Sequence, residues 1–202
     1  MKLRFSPTSP YVRKVVVTAA ETGLSDRIEL VLTNTRDPNS DLHVDNPLGK
    51  VPALITDDGV RLVDSPVICE YLDGLHEGSR LVPPAGEARW QALRLQALAD
   101  GILDAAVLRM LEGRRPDGER SQAFADKQRG KIVATLDVLE SEAPGFGDAL
   151  TIGAVTVGCA LGYLDFRFSD DDWRQGRPAL AEWYEGFAKR PSMTASVPRE
   201  IA

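Results

Sequence analysis

Cysteine and histidine are scarce in this chain of 202 residues, which holds two of each: Cys69, Cys159, His43 and His76. The cysteines stand far apart in apolar surroundings. No Cys-x-x-Cys occurs, which argues against a dithiol redox centre and fits packed thiols in a reducing cytoplasm. Neither histidine has metal-ligand spacing around it, so metal catalysis and a histidine-based triad are not expected. No block of Lys and Arg occurs, the nearest being the pairs Arg13-Lys14 and Arg114-Arg115, and the net charge is −6. Such a chain would release few counterions, so nucleic acid is not an expected partner. No apolar run approaches the roughly 20 residues that span a bilayer. Met1-Lys2-Leu3-Arg4-Phe5 lacks the apolar stretch of a signal peptide. No membrane partner is expected.

What remains is a chain 43% hydrophobic and 27% charged, enough for a real core in one large or two small domains. The first 75 or so residues mix strands and helices. Lys2–Phe5 reads as a strand and Pro10–Thr22 as a helix closed by Gly23; Ile28–Leu32 reads as a second strand. Strand, helix, strand implies parallel pairing. Asn34–Asn46 is polar, with room for one short irregular helix. Ala53–Thr56 and Val60–Val63 flank Asp57-Asp58-Gly59, a strong hairpin signal. Ser65–Leu75 reads as a helix with Val67, Ile68, Tyr71, Leu72 and Leu75 as its apolar stripe. This is the order of a thioredoxin-like βαβ-ββα sheet layered with helices.

From about residue 87 the pattern is helical throughout. Glu87–Glu112 carries Trp90, Leu93, Ala97, Leu98, Ile102 and Leu108 at helical spacing, and Ser121–Glu142 follows. Thr151–Phe168 is apolar on nearly every side and reads as a buried central helix. Pro178–Lys189 closes the set, with Pro191 as its stop. The expected fold class is α/β plus all-α: a thioredoxin-like domain over 1–77, a linker over 78–86 and an all-helical domain over 87–202.

Three stretches of the first domain carry chemical interest. Ser9-Pro10 and Ser65-Pro66 both read as an N-cap serine followed by proline at the first helical position. Both follow strands, so both helix starts belong at the carboxyl edge of the sheet, where N–H groups and partial positive charge suit an anion. The third stretch is Lys50-Val51-Pro52-Ala53. With a cis bond before Pro52, the Val51 backbone would face outward and could pair with an extended peptide. Taken singly, the serines are plain caps and Pro52 a plain strand start. Their combination in one small domain carries the weight.

The chain resembles the cytosolic glutathione S-transferases, and a bacterial serine-type member most of all. The resemblance rests on TSPYVRKV (8–15), NPLGKVPAL (46–54), DSPVICEYLD (64–73), LTIGAVTVGCALGYLDFRF (150–168) and RPALAEWYEGFAKRPS (177–192), in this order and spacing. It implies an enzyme that holds glutathione as co-substrate, in a homodimer. Ser9 matches the serine whose hydroxyl donates to the glutathione sulfur, with Thr8 the serious rival and Ser6 a lesser one. Val51 matches the residue whose main chain pairs with the cysteinyl backbone, and Lys50 the holder of the glycyl carboxylate. Asp64 and Ser65 match the pair that grips the γ-glutamyl end, where many members have Glu in place of Asp64. A small electrophile would rest between the domains, with Tyr11 and Arg109 its candidate lining. Tyr163 and Phe166 suit core packing better than that lining. Asp100 is placed to reach a γ-glutamyl amine across a dimer interface. The family's late helix usually opens Ser/Thr-x-x-Asp; here Thr151 is followed by Ala154, so the reciprocal half of that cap is missing.

A free thiol has a pKa near 8.5, so little of it is thiolate at neutral pH. A hydroxyl hydrogen bond and a helix N-terminus both favour the anion. The alternatives to conjugation are glutathione-dependent isomerisation and a binding module of the same fold without turnover. Reductive cleavage through a mixed disulfide would want cysteine where Ser9 stands.

Overall fold

The computed structural model describes residues 1–147 and 149–200. Its elements in chain order are β1 (Lys2–Phe5), α1 (Pro10–Glu21), β2 (Glu29–Leu32), α2 (Leu42–Asp45), β3 (Ala53–Ile55), β4 (Arg61–Leu62) and α3 (Ser65–Asp73). These are followed by α4 (Gly86–Gly113), α5 (Gln122–Glu142), α6 (Ile152–Arg167), α7 (Pro178–Phe187) and α8 (Pro191–Ala195). The chain forms two compact units, one from Met1 to Pro84 together with the stretch that begins at Pro191, the other Ala85–Arg190.

The first unit is a thioredoxin-like layer. Its sheet runs β2-β1-β3-β4, with β1 parallel to β2 and antiparallel to β3, and β3 antiparallel to β4. The parallel pair needs a crossover, which α1 supplies. Val12, Val15 and Val17 of α1 and Ile68, Cys69 and Leu72 of α3 are fully buried with Leu3 and Leu54 of the sheet. Gly23 ends α1 at φ +71, where a side chain would be strained. The Asp57-Asp58-Gly59 turn joins β3 to β4, with Gly59 at φ +85.

The second unit is all helical. Every residue of α6 from Ile152 to Leu164 is buried, as expected of a helix apolar all round. Its partner α4 buries small residues for the most part: Ala92, Ala99, Ala105 and Ala106, with Gln96, Ile102 and Leu103. Trp90 and Leu108, at helical spacing in the sequence, stay exposed. The alanines let α6 approach closely. A Cβ on Gly153 would lie 2.8 Å from the Ala92 carbonyl oxygen. Thr151 caps α6 by accepting from Ala154 N–H at 3.2 Å, and Ala154 has no side chain to reach back.

Two sequence expectations change here. Pro191 does not simply stop the preceding helix: it opens α8, which packs on α1 of the first unit. The expected helical domain over 87–202 thus gives up its tail, whose last two residues lie outside those described. The expected linker over 78–86 is partly folded onto the first unit. Leu81 and Val82 are buried, and their N–H groups donate to the Asp73 carboxylate at 2.7 and 3.0 Å.

Candidate functional site

Strand direction brings the three singled-out stretches to one edge of the sheet. β1 ends at Phe5, just before the Ser6–Ser9 turn, and β3 starts at Ala53 opposite Arg4. β4 runs back along β3, with Leu62 opposite Leu54, and leads directly into Asp64 and Ser65. The starts of α1 and α3 and the Lys50–Pro52 segment therefore share that edge.

At α1, Ser9 is the N-cap: its hydroxyl oxygen accepts from Val12 N–H at 3.3 Å. That bond uses a lone pair and leaves the hydroxyl hydrogen uncommitted among the described residues. Thr8 differs, because its hydroxyl shares a 3.1 Å hydrogen bond with that of Ser6. Ser9 N–H closes the turn onto the Ser6 carbonyl at 3.1 Å. Tyr11 follows on the first turn of α1, half-buried.

At α3 the expected cap is displaced by one residue. Asp64 is the N-cap, its carboxylate accepting from Ser65 N–H, and Pro66 stands at the second helical position. The shorter acid can turn back on its own helix, so Ser65 is not needed as a cap. The Ser65 side chain is fully buried, and its hydroxyl has no hydrogen-bond partner among the described residues. A buried hydroxyl left unpaired costs free energy, about 1–3 kcal/mol, unless something satisfies it.

Between them, the Val51–Pro52 peptide bond is cis. Val51 lies beyond the end of the β1–β3 ladder, and among the described residues no turn hydrogen bond engages its N–H or C=O. Asn46, almost fully buried, braces this loop: its amide donates to the Lys50 carbonyl at 2.8 Å and accepts from Leu48 N–H at 3.0 Å. The Lys50 side chain is exposed and pairs with no carboxylate among the described residues. The helix that feeds the loop, α2, is tied to the sheet by charge. Arg4 of β1 reaches Asp41 at 2.9 Å and Asp45 at 2.7 Å, and Asp45 also takes Arg61 of β4 at 3.0 Å. The Arg4 hydrogen bond holds the Asp41 carboxyl below the usual carboxylate range. Asn46 and Asp45 are site supports that sequence reasoning passed over; only their place just before Pro52 hints at the role.

In the second unit, Arg109 is engaged. Its guanidinium pairs with Asp171 and lies 4.3 Å from the Phe168 ring centre. Arg129 stands 3.6 Å from the same carboxylate. These residues line a cavity of about 40 Å³, with Arg177 on its wall bound to Asp137, room for about two or three waters. Tyr163 is buried against Phe166, and Cys69 and Cys159 are fully buried. Thr18 hydroxyl donates to Cys69 Sγ at 3.4 Å.

A thioredoxin-like unit with two helix starts and a cis-proline loop on one edge, followed by an all-helical unit, defines a class of two-domain folds. Comparison narrows the class. Family models described as the glutathione S-transferase N-terminal and C-terminal domains match residues 8–75 and 104–186. The chain is 33% identical to a protein of Escherichia coli (strain K12) named "Uncharacterized GST-like protein YibF", over 98% of both chains. It is 27% identical to glutathione S-transferase 3 of Zea mays, over 98% of this chain and 93% of that one. Among solved structures, a glutathione transferase family member from Pseudomonas fluorescens Pf-5 with bound glutathione superposes at a TM-score of 0.95. Identity there is 47%, covering 98% of this chain and 99% of that one. A glutathione S-transferase from Methylobacillus flagellatus KT with GSH bound gives 0.93 at 40% identity, covering 98% and 99%. The chain belongs to the glutathione S-transferase family.

Proposed function

We propose that this protein is a serine-type glutathione transferase that binds glutathione along the shared sheet edge and activates its sulfur through Ser9. The observation that carries the reading is the convergence on that edge of four groups without a protein partner among the described residues: the Ser9 hydroxyl hydrogen, the Val51 backbone, the Lys50 ammonium and the buried Ser65 hydroxyl. Each fits one part of the tripeptide. Val51 N–H and C=O pair with the cysteinyl backbone as a short strand would. Lys50 attracts the glycyl carboxylate. The first turn of α3, with Ser65, receives the γ-glutamyl carboxylate, aided by the positive end of the helix. Asp64 keeps an acidic group nearby for the α-amine.

The sulfur then lies at the start of α1. Ser9 cannot serve as a base there; it donates a hydrogen bond to the thiolate, and the thiol proton leaves to water. The hydrogen bond and the α1 N-terminus together lower the thiol pKa from about 8.5. The thiolate attacks an electrophilic carbon, forming a C–S bond while a leaving group departs or an enolate takes a proton from water. Binding both reactants in one site supplies much of the remaining acceleration. Tyr11 is the aromatic candidate for holding the electrophile. Arg109 takes part only with an anionic substrate able to displace Asp171. Assembly as a homodimer belongs to the same reading.

Titrating the protein with glutathione while following thiolate absorbance tests the proposal. The expected result is saturable uptake with thiolate present below the pH at which free glutathione ionises. A panel of aromatic halides, enones and epoxides then separates conjugation from isomerisation, and no uptake at millimolar glutathione would overturn the reading.

A further inference from the structure

The last described residues run back along α1 and reach the turn that carries Ser9. Ser192, in α8, donates its hydroxyl to the Glu21 carboxylate at the carboxyl end of α1. Midway, Arg13 of α1 reaches two points of the tail, donating to the Met193 carbonyl at 3.1 Å and to the Ser196 hydroxyl at 3.4 Å. Ser196 is itself held by donating to the Ser192 carbonyl at 2.7 Å. At the far end, Arg199 N–H donates to the Pro7 carbonyl at 3.4 Å. Pro7 sits inside the Ser6–Ser9 turn. The tail thus lies antiparallel to α1 over most of its 12 residues, about 18 Å. Met193 is fully buried under it, and Arg13 is 7% exposed.

Arg13 is an expensive residue to bury for packing alone. Among the described residues its side chain donates to no carboxylate, and one terminal nitrogen, Nη1, is buried with no partner. A buried guanidinium held only by a carbonyl and a hydroxyl is a costly arrangement that an apolar residue would avoid. It stands one turn after Ser9, whose carbonyl accepts from Arg13 N–H at 3.0 Å.

We infer that residues 191–199 form a strap that sets the position of the Ser6–Ser9 turn, with Arg13 as the positioning residue that fastens it. The inference rests on the reading of Ser9 as the sulfur's partner for its catalytic consequence, but not for the strap itself. A hydrogen bond to sulfur depends on where the hydroxyl stands to within a few tenths of an ångström. A turn pinned from behind keeps it there when glutathione is absent. The tail then contributes to thiol ionisation without touching the ligand.

Two full-length variants test this. Arg13→Lys keeps the charge and loses the fork that spans Met193 and Ser196. Arg199→Pro removes the N–H that bonds Pro7 and alters nothing on α1. Amide hydrogen exchange over residues 7–12 reads the strap with or without ligand, and residues 65–73 serve as the internal reference. In both variants exchange over 7–12 should rise at least fivefold, with 65–73 unchanged. The thiolate absorbance of bound glutathione should move to higher pH. Unchanged exchange over 7–12 in both variants overturns the strap, and so does an even rise across 7–12 and 65–73, which marks general loosening. If the parent protein takes up no glutathione, the functional reading falls, while the exchange measurement still decides the strap.

Discussion

Ser9-Pro10 and Ser65-Pro66 are the same dipeptide in the same setting, after a strand and before a helix, yet they do different work. Ser9 caps its helix with one lone pair and keeps a hydrogen to give. Ser65 leaves the capping to Asp64 and ends with a buried hydroxyl that has no hydrogen-bond partner among the described residues. A cap belongs to the stability of the chain, whereas an unpaired buried hydroxyl works against it. The two serines should therefore separate when stability and ligand binding are measured side by side.

The largest effect is expected at Ser9. Ser9→Ala should lower turnover about 100-fold, the usual order for loss of one donor to a developing or stabilised anion. It should also cost about 1 kcal/mol of stability through the lost cap. Thr8→Ala should leave turnover within about twofold, because its hydroxyl is shared with Ser6. A large loss from Thr8→Ala with little from Ser9→Ala in steady-state kinetics would make Thr8 the partner of the sulfur.

Ser65→Ala comes next. Glutathione affinity, read by calorimetry, should fall about tenfold, the lower end of what a hydrogen bond to a charged group contributes. Thermal stability without ligand should stay level or rise, because the variant removes an unsatisfied group. A loss of stability like that of Ser9→Ala would mean that Ser65 is a cap after all.

Thr151 is a third helix start, in the helical unit and with no ligand role, and it sharpens the comparison from outside. Ala154→Asp supplies the carboxylate that can return to the Thr151 N–H. It should add about 1 kcal/mol, seen as a rise of about 2–4 °C in Tm, with turnover unchanged. No rise in Tm would show that the buried position rejects the charge.

The smallest effect concerns the Arg109–Asp171 pair. The hydrogen bond from Arg109 holds the Asp171 carboxyl below its ordinary range, against burial, which pushes it up. A carboxyl lowered in the folded state stabilises above its unfolded pKa and loses that contribution as pH falls through the folded value. Arg109→Met should therefore melt slightly lower than the parent from neutral pH down to about 3.9, with the gap closing in stronger acid. The size should stay under about 1 kcal/mol, since both groups keep some contact with water.

Much of the first unit is legible because its signals are local. The Asp57-Asp58-Gly59 turn, Gly23 and the two prolines after serine each act within a few residues, and the first-unit elements from β1 to α3 fall within a few positions of where the pattern puts them; α8, which joins this unit from the far end of the chain, has no such signal. The supports of the site are not legible in this way. Asp45 meets Arg4 across 41 positions, and Arg13 meets Met193 across 180. No periodicity or motif in either segment announces the other. The Asp64 cap falls between the two cases: acid and serine are adjacent, and only the backbone at Asp64 decides which of them meets the N–H.

The amino-acid order by itself determined two kinds of unit, the sequence of elements within each, and the residue types that can bond to a thiol and two carboxylates, since these follow from short-range sterics and side-chain chemistry. Tertiary structure alone decided that three loops meet on one sheet edge, which serine caps its helix, and that the chain's tail returns to the helix near its beginning. Those outcomes depend on strand direction and on pairings between distant residues, which arise only when the chain closes on itself.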